Sequence, residues 1–223
     1  MEWSPIILTF QLAIICTVIL LIVGIPLAYW LATTKLAIKS WVETMTAMPL
    51  VLPPTVLGFY LLVVFSPANF LGGWLQETFN ISLIFSFGGL VFASVIYSLP
   101  FMVQPIQAGF QHLPQSLYDT ARLMGKSKWV ILFRILIPNV KSSVVTGIVL
   151  SFAHTIGEFG VVLMIGGNIP DRTKVASIAI YDAVELMDYN RANKYAAFLF
   201  IITFLILFIL YRLNGRPVKG SWS

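Results

Sequence analysis

Apolar residues in this chain come in long runs, not in the two-residue alternation of half-buried strands. Five runs, about 6–34, 47–66, 83–107, 140–165 and 195–212, are near or above the roughly 20 helical residues that a bilayer core of about 30 Å requires. The polar segments between them are short, apart from a basic stretch at 110–138 and a charged one around 171–190. This pattern predicts an all-α polytopic protein with five transmembrane helices in one membrane domain, 6–213, and no soluble domain. Within the second charged stretch Ile180, Val184 and Met187 recur at helical spacing among Asp171, Arg172, Lys174, Asp182, Glu185 and Asp188. That is too much charge for hydrocarbon, and it predicts a surface helix at about 173–188.

Composition agrees: of 223 residues 58% are hydrophobic and only 10% charged, too apolar a mixture for one soluble core. The first run follows Glu2 without a basic n-region and exceeds a signal peptide's apolar segment, so it is expected to stay in the protein. Cys16 lies in mid-span and has no cysteine to pair with. Two histidines and no Cys-x-x-Cys leave no metal framework, so no cofactor is expected.

The net charge of +5 is distributed by topology and is not gathered into a nucleic-acid surface. With the N-terminus outside and the C-terminus inside, ten of the 14 basic residues fall in the cytoplasm: Lys35, Lys39, Arg122, Lys126, Lys128, Arg134, Lys141, Arg212, Arg216 and Lys219. Arg172, Lys174, Arg191 and Lys194 fall outside, as the positive-inside rule asks. A sixth crossing at 171–190 would reverse the C-terminal cluster. The surface helix there is either a lid over helix ends or a landing site for an external partner.

Two stripes of small residues suit close helix packing: Gly24, Ala28 and Ala32 in the first span, and Ser143, Gly147, Ser151 and Thr155 in the fourth. The hydroxyls of the second stripe fit either packing or a wet pathway. Pro49, Pro53 and Pro54 cannot all occupy an undisturbed helix, so the second span is expected to bend or unwind there and to face protein or water. Thr55 and Gly58 beside the break become candidate pathway elements. Gln104, Gln107 and Gln111 share one face at the end of the third span, at an exit or in interfacial water.

Pro114 suits a helix start and Gly125 a C-terminal cap, predicting a short helix of about three turns between them. Leu117, Ala121 and Met124 fall on one face, with Asp119 and Arg122 on a flank. Gly125, Lys126 and Ser127 imitate the end of a phosphate-binding loop, but position 120 is Thr120 where that motif needs its first glycine. Any ATP must therefore bind elsewhere.

The segment LYDTARLMGKSKWVILFRILIP, with Asp119-Thr120-Ala121, Gly125 four residues later and Pro138 closing it, resembles the EAA loop of ABC-importer permeases. It has Asp-Thr-Ala where the family has Glu-Ala-Ala, and Ile137 where leucine usually precedes the proline. The resemblance implies a type I importer transmembrane fold and a cytoplasmic coupling helix, with Leu117, Asp119, Ala121, Arg122, Met124, Gly125 and Pro138 serving contact with an ABC ATPase dimer. MPLVLPPTVLGF and SFAHTIGEFGVVLMIGGNIPDRT are similar to molybdate permeases, with sulfate and thiosulfate permeases close by. The family then implies a homodimer that binds an external oxyanion-binding protein, spends ATP only through its partner and resides in the cell membrane.

Pathway or gate candidates are Pro53, Pro54, Thr55, Gly58, Ser151, Gly157, Glu158 and Gly160. No Arg or Lys lies near mid-membrane, so hydroxyls and backbone N–H groups at broken helix ends would hold a dianion weakly enough to release it. Glu158 would repel such cargo unless it pairs with a basic or amide group and braces the gate. His154 reads as a bundle residue. A membrane-embedded enzyme would need a nucleophile or metal motif that is missing, and an ion-coupled transporter would need more intramembrane carboxylates than Glu158.

Overall fold

The computed structural model describes residues 2–123, 125 and 127–214. They are helical almost throughout: α1 (Ser4–Thr33), α2 (Lys39–Val51), α3 (Pro54–Phe65), α4 (Phe70–Phe79), α5 (Phe87–Gln111), α6 (Gln115–Leu123), α7 (Lys128–Ile131), α8 (Ile137–Asn139), α9 (Lys141–Gly157), α10 (Gly160–Gly166), α11 (Ala176–Glu185) and α12 (Tyr189–Asn214). A π-helical turn at Leu132–Leu136 joins α7 to α8. Helices α1, α5 and α12 are each long and apolar enough to cross a membrane, and counting the sharply bent pairs α2–α3 and Trp129–Asn139 with α9 as single spans raises the number from three to five.

The second predicted span is divided. Pro53 can donate no backbone hydrogen bond, and Leu52 before it is forced into extended geometry (ψ 136°), so α2 and α3 diverge by 115°. The first of these helices starts at Lys39, well before the expected 47. The fourth predicted span, 140–165, is likewise broken, here without a proline: Glu158 is extended (ψ 135°) between α9 and α10. Its carbonyl is satisfied by the Ser177 hydroxyl at 2.6 Å, which offsets the loss of helical bonding. Helix α4 has no counterpart among the predicted elements. Within the stretch expected to form a surface helix at about 173–188 lies α11, which buries Ala176, Ile178, Ala179 and Ala183 and exposes Tyr181, Val184 and Glu185.

Helices α1 and α5 run parallel, in register from Cys16 beside Val91 to the Tyr29 and Phe110 rings at 5.6 Å. They approach closely because Gly24 has no side chain; a Cβ there would come 2.8 Å from Met102 Cγ. Helix α9 packs antiparallel on α5 through Ser143 on Gly109, Gly147 on Met102 and Thr155 on Ser98. The small-residue stripe of the fourth span is thus used for packing: Gly147, Ser151 and Thr155 are buried. Helix α12 runs parallel to α1, joined by Tyr195 to Glu2 and by Arg191 to Glu2.

The bundle therefore has two distinct ends. One gathers the N-termini of α1, α5 and α12 with α10 and α11; the other gathers the C-termini of α1 and α5 with α6. Gln107 at the second end donates to Glu43 of α2 at 2.7 Å, while Gln104 and Gln111 are exposed.

Candidate functional site

The two helix breaks meet. Pro54 and Thr55 at the start of α3 and Gly157, Glu158, Phe159 and Gly160 at the α9–α10 junction line one open cleft of about 400 Å³, closed on its remaining side by Tyr97 and His154. Glycines make the meeting possible. At Gly160 a Cβ would sit 2.7 Å from Pro54 Cβ, and at Gly58 one would sit 2.7 Å from Met164 Cβ and 3.1 Å from the Val161 backbone. Helix α3 therefore lies directly on α10.

Of the eight pathway candidates, Pro54, Thr55, Gly157, Glu158 and Gly160 come together in this cleft. Pro53 is exposed just outside it as the residue that caps α3, and Gly58 serves the α3–α10 contact. Ser151 is wholly buried two turns below the cleft, so its hydroxyl is an interior group and not part of the lining. Tyr97 and His154 are the lining residues that sequence reasoning missed as such. His154 is held by Ser98 Oγ at 2.9 Å and stacks on Phe101, which makes it the satisfied bundle residue its position suggested.

Glu158 corrects an expectation. It is only 4% exposed, and among the described residues no basic or amide group braces its carboxylate; the polar group beside it is the hydroxyl of buried Ser94. What fixes Glu158 is its backbone: the N–H donates to Thr155 O and the carbonyl accepts from Ser177. The donors offered to the cleft are the Thr55 and Tyr97 hydroxyls and the Thr55 backbone N–H; Pro53 and Pro54 carry no N–H, and those of Val56 and Leu57 already donate to Pro53 O. Among the described residues no Arg or Lys lines the cleft.

At the other end α6 forms the predicted short helix, and Gly125 beyond it has φ +64°, the left-handed geometry that suits a C-terminal cap. Its orientation differs from expectation. Leu117 is half-buried against the inner core cluster, and Tyr118 is buried and donates to Phe110 O at 2.9 Å. Burial holds the Tyr118 phenol above its ordinary pKa, with Tyr29 adding to the rise. The outward surface instead offers Gln115, Ser116, Asp119 and Leu123, the last 87% exposed. Leu123 follows Asp119 by four residues, a spacing that could have revealed it. Asp119 accepts from Gln115 at 3.2 Å. Ala121 and Arg122 lie on α6, and Met124 falls outside the described residues.

Pro138, exposed in α8, stands immediately after the π turn. Its missing N–H leaves one helical carbonyl without a donor, which favours the wider turn. The axis then bends by 83° into α9, so the segment from α6 to α8 is continuous with the helix that ends at the cleft.

Comparisons with known proteins agree with this arrangement. The molybdenum transport system permease protein ModB of Azotobacter vinelandii is 46% identical over 216 residues, 97% of this chain and 95% of the relative. The sulfate transport system permease protein CysT of Escherichia coli (strain K12) is 30% identical over 200 residues, 88% of this chain and 72% of the relative. A solved bacterial alginate ABC transporter, in complex with alginate pentasaccharide-bound periplasmic protein, has a chain that superposes with a TM-score of 0.72 at 16% identity, over 96% of this chain and 80% of that one. This last likeness shows a shared fold, that of the type I ABC-importer transmembrane domain. Residues 21–216 match the model of the binding-protein-dependent transport system inner membrane component, and the chain belongs to that family.

Proposed function

We propose that this chain is the permease subunit of an ATP-driven importer of molybdate or tungstate, with a sulfate or thiosulfate permease as the second reading. The observation that carries the first reading is the 46% identity to a molybdenum permease along nearly the whole chain, against 32% and 30% for two sulfate permeases. The bundle crosses the cell's inner membrane five times, with α2–α3 and α9–α10 as broken spans, the N-terminus outside and the C-terminus inside. The 10 to 4 division of basic residues supports this orientation.

Two copies form the pathway around a twofold axis. Val51 is 85% exposed, and Pro53 and Thr55 are exposed beside the irregular backbone at Leu52. Lipid does not tolerate irregular backbone, so this face belongs against a second copy and the wet path between them. An oxyanion delivered by an external binding protein passes the cleft, where neutral donors hold it without trapping it. The chain binds no cofactor; ATP is bound by an ATPase dimer that docks on the outward face of α6. Because Tyr118 ties α6 to the end of α5, force applied to α6 reaches the spans.

The test is uptake by vesicles holding the permease, its ATPase and its binding protein. ATP-dependent molybdate accumulation that tungstate suppresses, and that a hundredfold excess of sulfate leaves intact, is the expected result. Equal suppression by sulfate would move the assignment to the second reading, and accumulation without ATP would end both.

A further inference from the structure

The helical segment Trp129–Asn139 meets α9 at 83°, so if α9 crosses the bilayer this segment lies close to the membrane plane. Its two faces differ. Ile131, Leu132 and Leu136 are buried in the inner core cluster. On the opposite face Trp129 and Phe133, 61% and 56% exposed, stack on each other with centroids 6.1 Å apart and planes 21° apart. Arg134 is exposed next to this pair, and Lys141 is exposed just past the bend.

The same pairing recurs on other elements at this end. Trp41, 70% exposed, stands two residues from Lys39 at the start of α2, and Tyr211, 73% exposed, precedes exposed Arg212 at the end of α12. Arg134, Lys141 and Arg212 have no ion-pair partner among the described residues, and Lys39 reaches Glu43 only at 3.7 Å. At the opposite end two of the four basic groups are paired within the chain, Arg191 with Glu2 and Lys174 with Asp182, while Arg172 and Lys194 are exposed.

We propose that the outward face of α7–α8, with Trp129, Phe133 and Arg134 at its centre, is a seat for anionic phospholipid headgroups. A rigid aromatic pair fits the boundary between acyl chains and headgroups, and an unpaired guanidinium beside it supplies the charge that selects a phosphate carrying net negative charge. Docking onto another protein would call for one patch. Aromatic and basic neighbours spread over α2, α7–α8 and α12 at one end of the bundle form a girdle instead. Because α7–α8 runs directly into α9, a headgroup bound there holds in place the segment that links α6 to the cleft.

The full-length chain, purified from vesicles of equal parts phosphatidylglycerol and phosphatidylcholine, is assayed by native mass spectrometry for the lipids it retains. Phosphatidylglycerol is expected in excess. Arg134→Gln should lower that excess about fivefold, the factor for one basic residue near an anionic surface, and Trp129→Ala should lower the total lipid retained. Both positions are exposed, and unchanged helicity by circular dichroism certifies the fold. An unaltered lipid ratio in Arg134→Gln, or unaltered lipid retention in Trp129→Ala, overturns the proposal. A separate co-purification with the ATPase that fails for Trp129→Ala while its lipid retention is unchanged would assign this face to the ATPase and overturns it too. The lipid measurement uses the permease alone, so its failure would leave the transport reading standing, and the reverse also holds.

Discussion

Gly58→Val isolates the contact on which the cleft depends. A Cβ at this position falls 2.7 Å from Met164 Cβ, about 0.7 Å inside the 3.4 Å at which ordinary contact begins, and 3.1 Å from Val161 Cα. Neither neighbour is the end of a flexible side chain, so α3 and α10 must separate. Overpacking of this kind costs about 1–3 kcal/mol. Valine improves on glycine in helix propensity by only a few tenths of a kcal/mol, which leaves the sign unchanged. The unfolding equilibrium should shift about five- to a hundredfold, and the melting temperature should fall by about 2–4 °C per kcal/mol. The assay is thermal unfolding of the purified chain in detergent, with Gly157→Ala as control, since a Cβ there meets nothing within 4 Å. If Gly58→Val melts with the wild type, α3 does not lie on α10, and the cleft as described does not exist.

Other outcomes follow from single contacts. Ser98→Ala removes the group shared by His154 and Thr155 and should destabilise the bundle by about 1–3 kcal/mol in the same melting assay. Lys174→Met leaves Asp182 with Asn168 alone and should speed tryptic cleavage after exposed Arg172 about fivefold, for a loss of about 1 kcal/mol. Glu158→Gln should melt at or above the wild-type temperature, because no ion pair among the described residues is lost and the amide can still accept from Ser94; a drop of several degrees would reveal a cationic partner. Gly125→Ala has open space but a left-handed backbone, so it should cost about 1–2 kcal/mol locally and reduce ATP-driven uptake while the bundle's melting temperature holds.

Much of the fold was legible because a bilayer imposes a simple length rule on apolar helices. The first, third and fifth runs became α1, α5 and α12 with ends displaced by a few residues. Proline made the break in the second span readable. The break at Glu158 was not, since nothing in the local pattern of GEFG forbids a helix; Ser177, nineteen residues on, supplies the bond that stabilises it. The α6 helix and its glycine cap were legible from punctuation, but its facing was not. Leu117 and Leu123 are equally apolar, and which one turns inward depends on where the end of α5 lies.

Sequence by itself determined that this chain is apolar enough for lipid and where its long apolar runs and basic clusters lie, because hydropathy and charge act residue by residue along the chain. Only the tertiary structure decided that the two broken helices cross at Gly58 and Gly160, that the fourth-span hydroxyls are spent on packing, and that Glu158 is buried with no cation beside it among the described residues. Those facts depend on distances between segments a hundred residues apart, fixed jointly by every helix that packs around them.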